Sequence, residues 1–517
     1  MSVTARGANV SASNPAAVSS PPYAGVNRTL LSGVIGSSLI LFGSFGTGWL
    51  ASVSPLNRDP FFIMLRTEPA GVTACVILLA LGCWLLFRSW WRLGQKLKGW
   101  GEGSLKVVRR AVWLWSIPML VTLPIMSRDV FAYIGQGRLV DAGQDPYVDG
   151  ISSLNNWFQL GTDTMWAQDG TPYGPLYLSI EWLVVNIVSG STDVAILAFR
   201  AIAFIGVLLC LHFVPKLAEL HAVSGAKATW MTVANPLFLV NFVASAHNDS
   251  LMTGLAVWAV YLACKRHGFW AVVVLAASVG VKPITLVLLP FIGLLWAGPD
   301  AKWPRRILYW FYTGMLFLAL MTLVGWLNGY WFGWLSVMLN YTGAGFSIYA
   351  PLGLATVGIQ NIFHSFGLDS GGVLDVVKTA GRLIGVVIAF VLMFRGKYSH
   401  LVQRMAIAFT AIVVLSPVIQ PWYLLWLLPF FAVTGLRDDW QMLWLHLTTI
   451  FFLAYQAADQ IFVWQFLQES LVPRVQLISW GISIACAVYL VFFDPKTKNI
   501  CADLLSSTNW LKKRKKA

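Results

Sequence analysis

Gly174-Pro175-Leu176-Tyr177-Leu178-Ser179-Ile180-Glu181-Trp182-Leu183-Val184-Val185-Asn186-Ile187-Val188-Ser189-Gly190 is an apolar run bounded by glycines, and the topology of the chain turns on it. If it crosses a membrane, every later loop changes side. Fourteen other candidate spans flank it, near residues 29–52, 70–90, 111–127, 194–214, 229–245, 250–264, 268–281, 284–298, 307–327, 373–394, 405–419, 422–436, 441–456 and 475–493. Several are shorter than the roughly 20 residues that cross a bilayer with ease. Charge decides the parity, because cytoplasmic loops carry the excess of Lys and Arg. With 174–190 not spanning and the N-terminus inside, 27 of the 36 Lys and Arg and 7 of the 22 Asp and Glu are cytoplasmic, a net +20. The remaining 9 basic and 15 acidic residues carry −6. A spanning 174–190 would move Lys265-Arg266 and the Arg305-Arg306 pair outside. The run is therefore read as a helix lying on, or dipping into, the outer face.

Composition points the same way. The 517 residues are 57% hydrophobic and 11% charged, where soluble domains carry about 25% charged residues. That excludes a soluble enzyme, a disordered chain and a coiled coil. The net charge of +14 is a topology signal, with no nucleic-acid partner implied. Residues 1–27, rich in Ser, Ala, Pro and Gly, read as a disordered cytoplasmic segment. Residues 28–495 read as one transmembrane domain and 496–517 as a basic cytoplasmic tail. Cys75, Cys83, Cys210, Cys264, Cys486 and Cys501 show no metal-ligand spacing and read as small hydrophobes. Two long segments, 128–193 and 328–372, face outside, and the cytoplasmic loops hold no nucleotide-binding motif. The working surface is the outer one.

Polar residues gather at that boundary. Ser127-Arg128-Asp129 sets a carboxylate beside a guanidinium. The acid could deprotonate a hydroxyl and the Arg could hold a phosphate; equally, Ser127 could cap a helix whose dipole favours Asp129. Asp145-Pro146-Tyr147 and Thr171-Pro172-Tyr173-Gly174-Pro175 are turn strings that fix an aromatic. His247-Asn248-Asp249 puts three polar side chains at membrane level, where they are costly and often functional; His247 with Asp249 is only a weak metal signal. Lys282 could meet an anionic headgroup or snorkel. Arg200, Lys378 and Arg382 need anionic partners. Gln420, Trp422 and Tyr423 open another span, and Trp331, Trp334 and Tyr341 are sugar-stacking or interfacial rings. One well-placed acid, scattered cations and many aromatics suit an anionic lipid donor and a hydroxyl acceptor better than a proton-coupled transporter, which wants acids deep within spans.

Taken together, Arg128-Asp129-Val130 with Tyr133, Asp145-Pro146-Tyr147, Tyr173-Gly174-Pro175, His247-Asn248-Asp249, Lys282-Pro283 and Gln420-Pro421-Trp422-Tyr423 resemble the GT-C class of polytopic glycosyltransferases. More narrowly, the chain resembles the MptB-type α-1,6-mannosyltransferases of mycobacteria and corynebacteria over about residues 28–495. The resemblance implies an all-α polytopic fold of about 13–14 transmembrane helices with long outer-face loops. It implies a plasma-membrane enzyme with both termini cytoplasmic and its active site outside. The implied reaction is inverting: mannose moves from decaprenyl-phosphate-mannose to a phosphatidylinositol-mannoside or growing lipomannan. Asp129 matches the catalytic base of the class. Arg128, Lys282, Arg200 and Arg382, in that order, are candidates for the donor phosphate. Tyr173, His247, Asn248, Asp249, Gln420, Trp422 and Tyr423 are candidates for sugar or acceptor contacts. No cofactor is implied; the phosphomonoester is already a good leaving group, so a divalent metal is not obligatory and is left open. An arabinosyltransferase on the same lipid carrier and a lipid or sugar transporter are the alternatives.

Overall fold

A computed structural model describes residues 25–340, 347, 349–416 and 418–507. Most of the proposed disordered segment, Tyr341 and the lysine-rich end of the tail lie outside the described residues. Among those described the chain is helical, with no strand. Six helices are long and apolar enough to cross a membrane: Val26–Thr47, Pro69–Lys96, Thr192–Glu219, Trp303–Asn328, Val373–Phe394 and Glu469–Phe493. Six shorter apolar helices of 10–17 residues accompany them. The protein is an all-α polytopic membrane protein. Val26–Thr47 and Pro69–Lys96 pack closely because glycines line the contact: a Cβ on Gly36 or Gly43 would meet the backbone of Leu86 or Leu79. Close approach through small residues is how helices associate where lipid offers no hydrophobic drive.

The 174–190 run forms the Pro175–Ile187 helix. Thirteen residues rise about 20 Å, well short of a ~30 Å hydrocarbon core. Its two ends lie at one end of the bundle. The Gly174 N–H donates to the Val281 carbonyl at 3.0 Å. Just past the other end, Asp193 accepts from the Ser54 hydroxyl at 2.8 Å. Trp49, Pro124 and Thr47 belong to the same end, joined by Trp49 N–H to Pro124 O and Phe462 N–H to Thr47 O. The run is thus a short helix with both ends at one end of the bundle. Basic residues gather at the opposite end, where Arg88 pairs with Asp494, Lys227 pairs with Asp438 and Arg404 binds the carbonyls of Leu392, Arg395 and Lys397.

Two expected spans take another form. The 111–127 run is helical only as Ser104–Met119, and irregular backbone leads to Ser127. The 229–245 run is broken into Gly225–Met231, Pro236–Leu239 and a π-turn at Val240–Ala244. Pro236 cannot continue the hydrogen-bond ladder, and the Asn235 side chain restarts it by accepting from Leu237 N–H at 2.9 Å. Broken backbone at membrane depth is tolerated only when buried in protein, and Val240–Ala244 are fully buried. Part of the tail also folds: Asn499–Ser507 is a helix with Cys501 and Leu504 buried.

Candidate active site

Asp129 starts the Asp129–Asp141 helix after a bend at Met126, whose φ is 64°. The Ser127 hydroxyl accepts from the Asp129 N–H at 3.1 Å, but Arg128 holds the N-cap position and makes no side-chain cap bond, so Ser127 sits one residue before the cap expected of it. The neighbouring side chain points elsewhere. The Arg128 guanidinium donates to the carbonyls of Gly161 and Thr162, lies 3.5 Å from Asp163, and stacks over Trp49 at 3.5 Å. Burial draws it down to about 10, with Asp163 opposing, so it stays charged at neutral pH.

His247-Asn248-Asp249 follows the broken helix through Ala246, a buried residue at φ 59°. A non-glycine residue in the left-handed region persists only when its surroundings hold it there. Arg200 does so from the Thr192–Glu219 helix, donating to the carbonyls of Val243, Ala244 and Leu120 at 3.2, 3.0 and 3.1 Å. The Asn248 N–H donates to the Tyr133 hydroxyl at 3.2 Å, tying the string to the Asp129–Asp141 helix.

Four ionisable groups then meet. His247 Nδ1 lies 3.4 Å from Asp129 Oδ2 and 3.8 Å from Asp249 Oδ2. Lys282 Nζ donates to Asp249 Oδ1 at 2.7 Å. Aromatic rings close round them. His247 stacks on Trp422 at 4.0 Å, and the Lys282 ammonium faces Tyr173, Tyr423 and Trp426 at 5.5, 5.4 and 4.9 Å. The 3.4 Å contact of His247 lacks hydrogen-bond alignment. Both its ring nitrogens, both side-chain polar atoms of Asn248, and Asp249 Oδ2 are buried without a hydrogen-bond partner. Buried polar groups are normally satisfied, so this concentration of open donors and acceptors marks a place prepared for a ligand. The two acids differ: the Asp129 side chain is 13% exposed and Asp249 0%. Burial pushes the Asp129 carboxyl up, but His247, Lys282 and the Ser127 hydroxyl outweigh it and hold the group below the usual carboxylate range.

The two turn strings lock onto this cluster. The Tyr147 hydroxyl donates to the Tyr173 carbonyl at 3.2 Å, and Thr171 N–H donates to the Pro146 carbonyl. A Cβ on Gly174 would collide with the carbonyl oxygens of Val279 and Gly280, so only glycine allows Tyr173 to sit against Lys282. The structure thus brings together Asp129, Tyr173, His247, Asn248, Asp249, Lys282, Trp422 and Tyr423. Gln420 is half-buried one turn before Tyr423, whose N–H donates to the Gln420 carbonyl at 2.9 Å. Arg382 is exposed on Val373–Phe394, a helix that packs on Pro351–Ser365 and Leu401–Val414. Trp334 is buried and Trp331 exposed. Trp426 is an addition to the residues the sequence singles out; its spacing of four from Trp422, the N-cap of the Tyr423–Thr434 helix, is the available signal. Among the described residues no group of three or more His, Cys, Asp or Glu is disposed to hold a metal ion.

Residues 30–298 match the family model described as alpha-(1->6)-mannopyranosyltransferase, N-terminal domain, which is more than half of the chain. The chain belongs to the alpha-(1->6)-mannopyranosyltransferase family. Residues 349–485 match the MptB C-terminal domain. A probable alpha-(1->6)-mannopyranosyltransferase of Mycolicibacterium smegmatis is 28% identical over 78% of this chain and 78% of its own length. An alpha-(1->6)-mannopyranosyltransferase of Mycobacterium tuberculosis is 28% identical over 80% of each chain. Alpha-(1->6)-mannopyranosyltransferase A of Corynebacterium glutamicum is 27% identical over 74% of this chain and 84% of its own. No solved structure matches. In this mannosyltransferase family member, Asp129, His247, Asp249 and Lys282 fall in the N-terminal match, whereas Trp422, Tyr423 and Trp426 fall in the C-terminal one. The cluster is assembled from both.

Proposed function

We propose that the protein is an inverting mannosyltransferase that takes mannose from a polyprenyl-phosphate-mannose, decaprenyl in the resembling family, and attaches it to a lipid-linked α-1,6-mannoside. The acceptor is a phosphatidylinositol-mannoside or growing lipomannan, and the transfer builds the mannan backbone. The site works on the outer face of the plasma membrane, with both termini in the cytoplasm. The observation that carries this reading is the convergence of Asp129, His247, Asp249 and Lys282, with unpartnered buried polar atoms around them.

The roles follow from environment. Asp129 is the acid an acceptor can reach, and its depressed titration keeps it a carboxylate at neutral pH. It takes the proton as the acceptor oxygen forms its bond to the anomeric carbon. The bond from that carbon to the phosphate oxygen breaks with inversion, and the electron pair leaves with the polyprenyl phosphate. Lys282 stabilises the leaving charge: an ammonium has three donors, and Asp249 engages one of them. Arg128 and Arg200 hold backbone carbonyls, so Lys282 replaces Arg128 as first choice for the phosphate. His247, Asn248, Tyr173, Trp422 and Tyr423 supply sugar contacts, and no step requires a metal.

The test incubates purified protein with labelled polyprenyl-phosphate-mannose and a synthetic α-1,6-mannoside. Mannosyl transfer is expected. Transfer only from the corresponding arabinose donor would make it an arabinosyltransferase, and movement of lipid without transfer a transporter. Lys282→Ala is expected to raise the KM for the donor far more than for the acceptor; an unchanged donor KM removes Lys282 from the site.

A further inference from the structure

A cavity opens at the same end of the bundle as the Asp129 cluster. It has a volume of about 670 Å³ and lies between the Asp129–Asp141 helix, the loop at 156–160 and the turn at 188–192. Arg138, Asp141, Asn156, Gln159 and Asn186 line it over an apolar floor that includes Ile134. Nothing in the cluster described above uses these residues. Arg138 is half-buried, and its Nη1 is shielded from solvent without a hydrogen-bond partner. A buried donor left open is costly, which favours a ligand that would accept from it. The lining mixes a guanidinium, a carboxylate and three amides. A phosphate would meet Asp141 as a like charge. Asn186 already donates to Asp141 at 3.2 Å and to the Trp182 carbonyl at 2.9 Å; sugar hydroxyls both donate and accept, so a neutral glycan suits Arg138, Asn156, Gln159 and the remaining acceptor capacity of Asp141, and its C–H faces suit the apolar floor.

One wall of the cavity leads along the chain to the site. Gln159 and Leu160 form one wall, and the next two residues, Gly161 and Thr162, supply the carbonyls that hold Arg128 beside Asp129. Arg138 lies nine residues further along the helix that Asp129 begins, about 13 Å away. We propose that this cavity is an acceptor subsite: it holds mannose units of an extended α-1,6-mannan remote from the reacting end while the terminal hydroxyl meets Asp129. The proposal rests on the mannosyl-transfer reading above, and it makes the protein favour long acceptors over short ones.

The test uses the full-length chain in nanodiscs with α-1,6-linked acceptors of two and of four or more mannoses. For wild type the longer acceptor should have the lower KM. The double variant Arg138→Gln, Gln159→Ala should raise the KM of the long acceptor about tenfold, leaving the short acceptor and the donor unchanged; unchanged short-acceptor kinetics also show that the variant is folded. An equal rise for both acceptors, or no rise for either, overturns the subsite. Saturation-transfer NMR with free α-1,6-mannotetraose reads binding apart from turnover. Signal lost in the double variant supports the subsite, and equal signal overturns it. Selective loss of binding in a protein that transfers no mannose keeps the subsite and sinks the mannosyltransferase reading. Transfer without dependence on acceptor length does the reverse.

Discussion

At the scale of single residues, two carboxylates that face the same imidazole nitrogen are given different tasks by their surroundings. Asp249 is sealed and bound to Lys282, while Asp129 opens to the surface. Removing a general base costs about 10²–10⁴ in rate, so Asp129→Asn should lower kcat by that order in a protein that still folds; turnover near wild type would refute its role. The pH profile follows from the same contacts. A depressed carboxyl is deprotonated above its lowered value and gains its proton only below the ordinary carboxylate range. The acid limb of kcat/KM that reports Asp129 should therefore lie below that range in wild type. In His247→Gln, burial is opposed by fewer favourable contacts, and the limb should move to higher pH. A limb that stays in place would mean that His247 does not set the titration of Asp129. The pairing of Asp129 with His247 was beyond reach in the sequence, because two residues more than a hundred positions apart announce nothing about their distance. Arg128 illustrates the same limit. Adjacency to Asp129 suggested a phosphate ligand, but its partners Gly161 and Thr162 offer only backbone, which leaves no residue pattern to read.

Among the elements, the broken helix at 236–244 shows why a buried arginine sits in a long apolar helix. Arg200 supplies donors to carbonyls that an unbroken ladder would have satisfied itself. Arg200→Met should leave those carbonyls open, at about 1–3 kcal/mol for each unsatisfied group, and lower the thermal stability of the detergent-solubilised protein. Arg200→Lys, with its single head group, should recover only part of the loss. Melting unchanged from wild type in Arg200→Met would show that the carbonyls find other partners. Gly174 is the corresponding constraint on the loop before the Pro175–Ile187 helix. Gly174→Ala must part the Pro175–Ile187 helix from the end of Gly268–Val281. Tyr173 would then leave Lys282, and transfer should fall at least tenfold with little change in melting, whereas full activity would show that the contact is not needed. Helix positions were legible here because apolar runs announce them: 268–281 and 373–394 coincide with the helices found. The break at 236 was less so, since Pro236 lies inside an apolar run that hydropathy alone reads as continuous.

For the whole molecule, the question on which charge and fold both bear is the parity of the chain. Hydropathy leaves it open, because the Pro175–Ile187 helix is as apolar as its neighbours and differs from a span mainly in length. Counting Lys and Arg favours one answer in the sequence, and the contacts of Gly174 and Asp193 put both ends of the helix at one end of the bundle. If helix Pro175–Ile187 stays at one end, Val148 and Pro304 lie on opposite sides of the membrane. Val148 is 76% exposed in the long loop before that helix, and Pro304 begins Trp303–Asn328 among Lys302, Arg305 and Arg306. In intact cells an impermeant thiol reagent should label Val148→Cys and spare Pro304→Cys until the membrane is opened. The native cysteines are buried or half-buried, and the unsubstituted protein gives the background. Labelling of Pro304→Cys from outside with protection of Val148→Cys would invert the whole molecule and carry the Asp129 cluster to the cytoplasm, where a donor displayed on the outer leaflet could not reach it. Labelling of both from outside would mean that an odd number of crossings separates 148 from 304 beyond those assigned, and the parity argued from the Pro175–Ile187 helix would fall with it.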